Sequence, residues 1–266
     1  MLRIVSLAVF LLLPFLSAWS HEWVSTYSVF HVVAQNPPRR ILFIGDSITD
    51  GGWGNSGGSS KSSQERSHGD MNHIFGHGYM EMCAAHFMSL YPQRDYQFFN
   101  RGISGNTLYD MQKRWKTDAL DIRPDVISIL IGTNDIHEFL NEKSDAPFDF
   151  SRWEQTYRSL LDEIKKQNPD IRIVLATPFV AKAGWVGESD NFEQRKTMVE
   201  QLAEIVRKIA ADYHAVLLPF DELFKSIQPQ APRDNYWIWD GIHPTTAGHR
   251  RMADLWISNT ADLFAE

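Results

Sequence analysis

From about residue 40 onward, short apolar runs alternate with longer stretches in which apolar residues recur every third or fourth position. A run of about five branched or aromatic residues suits a buried strand, and a period near 3.6 suits a helix lying on a sheet. Alternation of the two is the pattern of strand-helix units that build a parallel sheet, so the chain reads as α/β. Strands are predicted at Arg40–Ile44, Tyr96–Asn100, Val126–Ile131, Ile171–Ala176 and Ala215–Pro219. Helices are predicted over 73–91, 107–120, 151–168, 191–213 and 245–263. The fourth carries Met198, Leu202, Ile205, Val206 and Ile209 at helical spacing, a stripe expected to face the core. Residues 51–72 are rich in glycine and serine and lack periodicity, so they read as a long loop inserted at the rim of the sheet.

The first twenty residues break this pattern. Arg3 is their only charge, Ile4 to Leu16 is apolar, and Ala18 and Ser20 precede a possible cleavage point before His21. This is the pattern of a secretory signal peptide. Pro14 and Ser17 interrupt the run before the roughly twenty apolar residues of a membrane span. The expected organisation is therefore a signal peptide at 1–20, an N-terminal extension at 21–39 and one folded domain at 40–266. A secreted or periplasmic location follows, without stable membrane insertion.

The 266 residues carry 26 basic and 33 acidic side chains, a net charge of -7, which becomes 25 minus 33, or -8, without residues 1–20. Acids and bases are interspersed, so no basic stripe exists for nucleic acid or anionic lipid. A neutral or small-molecule substrate is the better expectation, and the oligomeric state is not legible. Cys83 is the only cysteine, which excludes an intrachain disulfide and a cysteine-rich metal site.

The chemistry gathers where predicted strands end. The first runs into Gly45-Asp46-Ser47-Ile48-Thr49-Asp50-Gly51, the second into Asn100-Arg101-Gly102-Ile103-Ser104-Gly105-Asn106, and the third into Ile131-Gly132-Thr133-Asn134-Asp135. Asp240-Gly241-Ile242-His243-Pro244 comes near the end. The carboxyl edge of a parallel sheet is where ligands bind, and a serine there can meet backbone N–H groups and an imidazole. Alone, Ser47 would read as a helix cap.

The four segments together resemble, in order and spacing, the four blocks of the SGNH hydrolases, also called GDSL esterases and lipases. The resemblance runs from Ile41 to the C-terminal helix. It implies a flavodoxin-like, three-layer α/β/α sandwich around a mostly parallel five-stranded sheet, with no metal and no cofactor. It further implies Ser47 as nucleophile, His243 as general base and Asp240 as the acid that orients it. The oxyanion hole would use the N–H groups of Ser47 and Gly105 and the side-chain amide of Asn134. Gly102 is not excluded as the second donor. Ile48 stands where the family's alternative name has leucine. Asp46 reads as a residue that holds the turn, because it adjoins Ser47 too closely to reach the far nitrogen of His243.

Other residues invite weaker readings. Asp70, His73 and His77 have a spacing seen in some zinc sites, but no further ligand is evident and Gly76 and Gly78 weaken a helix there. A metal-dependent phosphoesterase built on residues 68–77 is the reading they would serve. His249 is expected to be solvent-facing or to cap the last helix. Trp53, Trp185, Trp237 and Trp239 lie in segments that can flank the site, and planar rings suit the apolar faces of sugars. Small O-acetyl esters, carried on a small molecule or an oligosaccharide, are the expected substrates. The alternatives are a lysophospholipase or lipase acting on longer acyl esters, and an inactive carbohydrate-binding relative.

Overall fold

The structure is a computed structural model that describes residues 40–52, 75–142 and 146–264. The signal-peptide and extension readings, and from the long loop Trp53, Asp70 and His73, lie outside the described residues. Five strands, β1 Arg40–Gly45, β2 Gln97–Gly102, β3 Val126–Leu130, β4 Arg172–Ala176 and β5 Val216–Leu218, form one sheet in the order β2-β1-β3-β4-β5. Every pairing is parallel. The helices are α1 Ser47–Asp50, α2 Tyr79–Leu90, α3 Leu108–Lys113, α4 Thr133–Glu142, α5 Phe150–Gln167, α6 Gly184–Gly187, α7 Phe192–Asp212, α8 Phe220–Ile227 and α9 Thr246–Phe264.

Strand alternation makes the three layers. In β1, Ile41 and Phe43 enter one core with Tyr79, Phe87, Phe220 and Trp256, which brings α2, α8 and α9 to that face. Leu42 and Ile44 enter the opposite core with Leu108, Leu160, Leu161, Leu202 and Val206, which brings α3, α5 and α7 to the other. Strands buried on both faces need continuous apolar runs, as β1 and β3 have. Trp256 donates from Nε1 to Ser128 Oγ at 3.0 Å, so the one polar side chain of β3 is satisfied.

Register then positions the site. Gly45 at the end of β1 lies opposite Gly102 of β2 and Leu130 of β3. The three strands therefore release their chains at one level, at the point where the strand order reverses between β1 and β3.

Several expected elements differ. The predicted helix over 107–120 breaks at Arg114, where φ is -108° and ψ is 6°, and resumes as a π turn over Lys116–Leu120. The helix expected from 73 begins at Tyr79, because Gly76 holds φ of +80° and Gly78 is extended. Helices α1, α4, α6 and α8 fall outside the predicted helical ranges. In α8, Phe220, Leu223, Phe224 and Ile227 do follow helical spacing, but eight residues between strand and loop make a short signal.

Candidate active site

The turn that carries Ser47 is built by a buried carboxylate. Asp46 accepts at Oδ1 from Ile48 N at 3.0 Å and starts α1, which leaves Ser47 as the one residue of Asp46–Asp50 that is not buried. Burial pushes the Asp46 carboxyl up to about 6, against the Ile48 N–H and the charges of His243 and Arg114. From below, Asn100 Nδ2 donates to Thr49 O at 2.9 Å and to Phe75 O at 2.7 Å.

The loop before α9 supplies the partners. Asp240 Oδ1 accepts from Ile242 N at 2.9 Å and from His243 N at 2.8 Å, which fixes the carboxylate in the turn. Its Oδ2 lies 2.7 Å from His243 Nδ1, and His243 Nε2 lies 2.8 Å from Ser47 Oγ. A carboxylate at Nδ1 keeps the hydrogen there and leaves the Nε2 lone pair to accept from the serine hydroxyl. Burial raises the Asp240 carboxyl, but hydrogen bonds from the His243 ring and the two backbone N–H groups outweigh it and hold it below its usual range. The hydrogen bond to Asp240 is the main reason that the His243 imidazole is raised above 6.5, against its own partial burial.

The remaining candidates face the same edge. Gly105 sits in the turn closed by Asn106 N to Ile103 O at 3.2 Å and holds φ of +81°, which glycine adopts without penalty. Neither the Ser47 nor the Gly105 N–H donates to any group among the described residues. Gly102 is different. Its N–H donates to Asn100 Oδ1 at 2.9 Å, and a Cβ there would stand 2.2 Å from Asp50 N, so it is a close-packing glycine with its donor occupied. Asn134 Nδ2 donates to Asn106 O at 3.1 Å, which orients the amide and ties the third segment to the second.

Asp135 and Arg114 were passed over in the sequence. Asp135 is buried and accepts from Leu108 N at 3.0 and 3.2 Å and from Trp153 Nε1 at 2.9 Å, so it anchors α3 beside Asn134. Burial pushes its carboxyl up to about 7. Its position next to Asn134 is the only sequence signal it carries.

Other expectations need correction. His249 is buried and accepts at Nδ1 from Tyr79 N at 3.2 Å, so it supports the start of α2 rather than facing solvent. Burial, then the charge of His243, pushes it down to about 4. Trp237 is half-buried and donates to Ile227 O at 3.0 Å, which makes it packing rather than rim. Trp185 and Trp239 remain 49% and 55% exposed. The Trp239 ring stacks toward His243 at 6.4 Å, and the edge-on contact of Trp185 is with His137 at 5.6 Å. Gly184 packs backbone to backbone against Trp239 and Asp240, so the segments that carry the two tryptophans meet at the Ser-His-Asp array. His77 donates from its backbone N–H to Gly51 O. Among the described residues no group of three or more His, Cys, Asp or Glu side chains is arranged to hold a metal. A groove of about 1040 Å³ between α7 and α8, lined by Lys196, Arg207 and Phe224 among others, includes none of these candidates.

A hydroxyl bonded to an imidazole, itself oriented by a carboxylate, beside N–H groups that have no acceptor among the described residues, is suited to acyl transfer. Residues 43–251 match the model of the GDSL-like lipase/acylhydrolase family. An acetylxylan esterase of Geobacillus stearothermophilus is 33% identical over 225 residues, 81% of this chain and 90% of that protein. The crystal structure of an acetylxylan esterase from the same organism superimposes with a TM-score of 0.66 at 28% identity, covering 83% of this chain and 93% of that one. Its solved catalytic mutants replace a serine, an aspartate and a histidine, the last two three positions apart. A GDSL-like lipase of Parabacteroides merdae superimposes with a TM-score of 0.72 at 30% identity, covering 84% of this chain and 95% of that one.

Proposed function

This chain belongs to the GDSL-like lipase/acylhydrolase family and is a carboxylic ester hydrolase, and from that premise we propose that it removes small acyl groups, above all acetyl, from carbohydrate. The observation that carries the reading is the continuous array of Ser47 Oγ, His243 and Asp240, at 2.8 and 2.7 Å. The aspartate and histidine replaced in the catalytic mutants of the acetylxylan esterase have the spacing of Asp240 and His243.

In this mechanism neutral His243 takes the hydroxyl proton at Nε2 while Ser47 Oγ attacks the ester carbonyl carbon. The oxyanion of the tetrahedral intermediate lies against the N–H groups of Ser47 and Gly105 and the Asn134 amide. Protonated His243, held by Asp240, gives its proton to the sugar oxygen as its bond to the carbonyl carbon breaks, which frees the sugar hydroxyl and leaves an acetyl-Ser47 ester. Water, deprotonated by the same Nε2, attacks that ester and returns acetate and free Ser47.

Support for a carbohydrate alcohol comes from Trp185 and Trp239, two exposed rings on segments that meet at Asp240, and from the acetylxylan esterase relative. We further propose that residues 1–20 direct export and are removed; N-terminal sequencing of the secreted protein should begin near His21. The substrate reading is tested by acetate release from acetylated xylooligosaccharides against release of fatty acid from lysophospholipid. Faster lysophospholipid turnover would replace it with a lipid substrate.

A further inference from the structure

The donors proposed for the oxyanion come from three separate segments, and their relative placement to a few tenths of an ångström decides how well they meet a charge that exists only in the transition state. One side chain spans those segments. Arg114 NH2 donates to Gly45 O at 3.0 Å, two residues before Ser47, and NH1 donates to Arg101 O at 2.7 Å at the end of β2. Its Nε donates to Asn106 Oδ1 at 2.7 Å, next to Gly105. The same Asn106 takes the Asn134 amide on its backbone carbonyl at 3.1 Å. A connected set of hydrogen bonds therefore runs from the β1 end through Arg114 and Asn106 to Asn134.

The guanidinium is itself held firmly. NH1 also pairs with Asp118 at 2.8 Å, and the Arg114 and Asp118 side chains are 14% and 1% exposed, so a charge under the sheet edge has its countercharge in contact. Its backbone is anchored from the other end of α3. Thr107 and Asp110 form a capping box there, and Asp135 accepts from Leu108 N. The helix breaks at Arg114, where the side chain meets the strand ends. Only a planar fork reaches three acceptors in fixed directions; an ammonium at the same place is a point charge without that geometry.

We infer that Arg114 is a positioning residue for the oxyanion hole: it sets the spacing of the Ser47, Gly105 and Asn134 donors without touching substrate. The inference rests on the proposed serine-esterase mechanism. Arg114→Lys keeps the charge beside Asp118 and loses the fork, and Asn106→Ala cuts the Nε link while leaving the backbone acceptor of Asn134.

The test uses the full enzyme, with 4-nitrophenyl acetate as substrate and phenylboronic acid as a probe that makes a tetrahedral adduct on serine. In folded Arg114→Lys, kcat is expected to fall about 10- to 100-fold with KM changed by less than about threefold, as for an interaction made in the transition state. Boronate affinity should weaken with kcat, and added guanidinium should restore part of the rate in Arg114→Ala. The Arg114→Lys and Asn106→Ala losses should be less than multiplicative, because both act through one link. If Arg114→Lys does not fold, Asn106→Ala should still lower kcat and boronate affinity together. An unchanged kcat in folded Arg114→Lys, or a fall in kcat with boronate affinity untouched, would overturn the inference. A dead Ser47→Ala beside an unaffected Arg114→Lys overturns this inference alone, whereas an active Ser47→Ala overturns the mechanism beneath it.

Discussion

At the scale of single residues, the two carboxylates nearest the serine are separated by what they touch. Asp240 meets the far nitrogen of His243, while Asp46 is occupied by the Ile48 N–H and holds a turn. The pH dependence should report this difference. His243 must be neutral to act as base, and Asp240 raises its pKa, so the rising limb of kcat/KM is expected above 6.5. Asp240→Asn removes the carboxylate that favours the imidazolium. The limb should therefore move to lower pH while the plateau falls by about 10⁴-fold, the wrong tautomer now being favoured. A pH-rate profile of the variant whose limb stays in place would reject Asp240 as the partner. Asn134→Ala should lower kcat by about 10²- to 10³-fold with a smaller effect on KM. Steady-state kinetics with an effect on KM alone would make Asn134 a ground-state binding residue.

At the scale of elements, the residues around the Ser-His-Asp array were legible in the sequence because four short segments, in order and spacing, resemble the four blocks of one family. The strand signal was strong, and the Gly-Asp-Ser and Gly-Thr-Asn segments lie at or just past the ends of β1 and β3, while Asp-x-x-His lies in the loop before α9. The scaffolding was not legible. Arg114 and Asp135 look like ordinary polar residues of helices, and only the level strand ends bring Gly45, Arg101 and Asn106 within reach of one guanidinium. The resemblance already favoured Gly105 over Gly102, and the close packing that occupies Gly102, its space filled by Asp50, was not legible. Helix α6 bears the substrate prediction. Its backbone is fastened to Asp240 through Val186 N to Asp240 O at 3.2 Å, and its Trp185 is backed by His137, which lies 2.9 Å from buried Arg195. Trp185→Ala should reduce kcat/KM for acetylated xylooligosaccharides by about 10-fold, the loss of an aromatic contact, and leave 4-nitrophenyl acetate turnover unchanged. Equal losses on both substrates would assign Trp185 to the frame of the site instead.

At the scale of the molecule, the five-strand α/β expectation holds, with every strand parallel, and two carboxyls lie buried beneath the edge that carries the Ser-His-Asp array. Asp46 and Asp135 have pKa values raised from 3.8 to about 6 and about 7. A raised carboxyl stabilises the fold fully below 3.8, and that contribution is lost as pH rises through the folded value. Asp135→Asn keeps an acceptor but cannot ionise. Relative to it, the wild-type protein should therefore lose stability between about pH 4 and 7, measured by denaturant unfolding at each pH; a difference that is flat across this range would contradict the raised value. No described helix is long and apolar enough to cross a membrane. The account as a whole rests on one hydroxyl, 2.8 Å from His243 and placed there by the end of β1. The most direct measurement is 4-nitrophenyl acetate hydrolysis by purified, folded Ser47→Ala. Turnover at least about 10⁴-fold below wild type is the predicted result, and a rate within about tenfold of wild type would contradict the account.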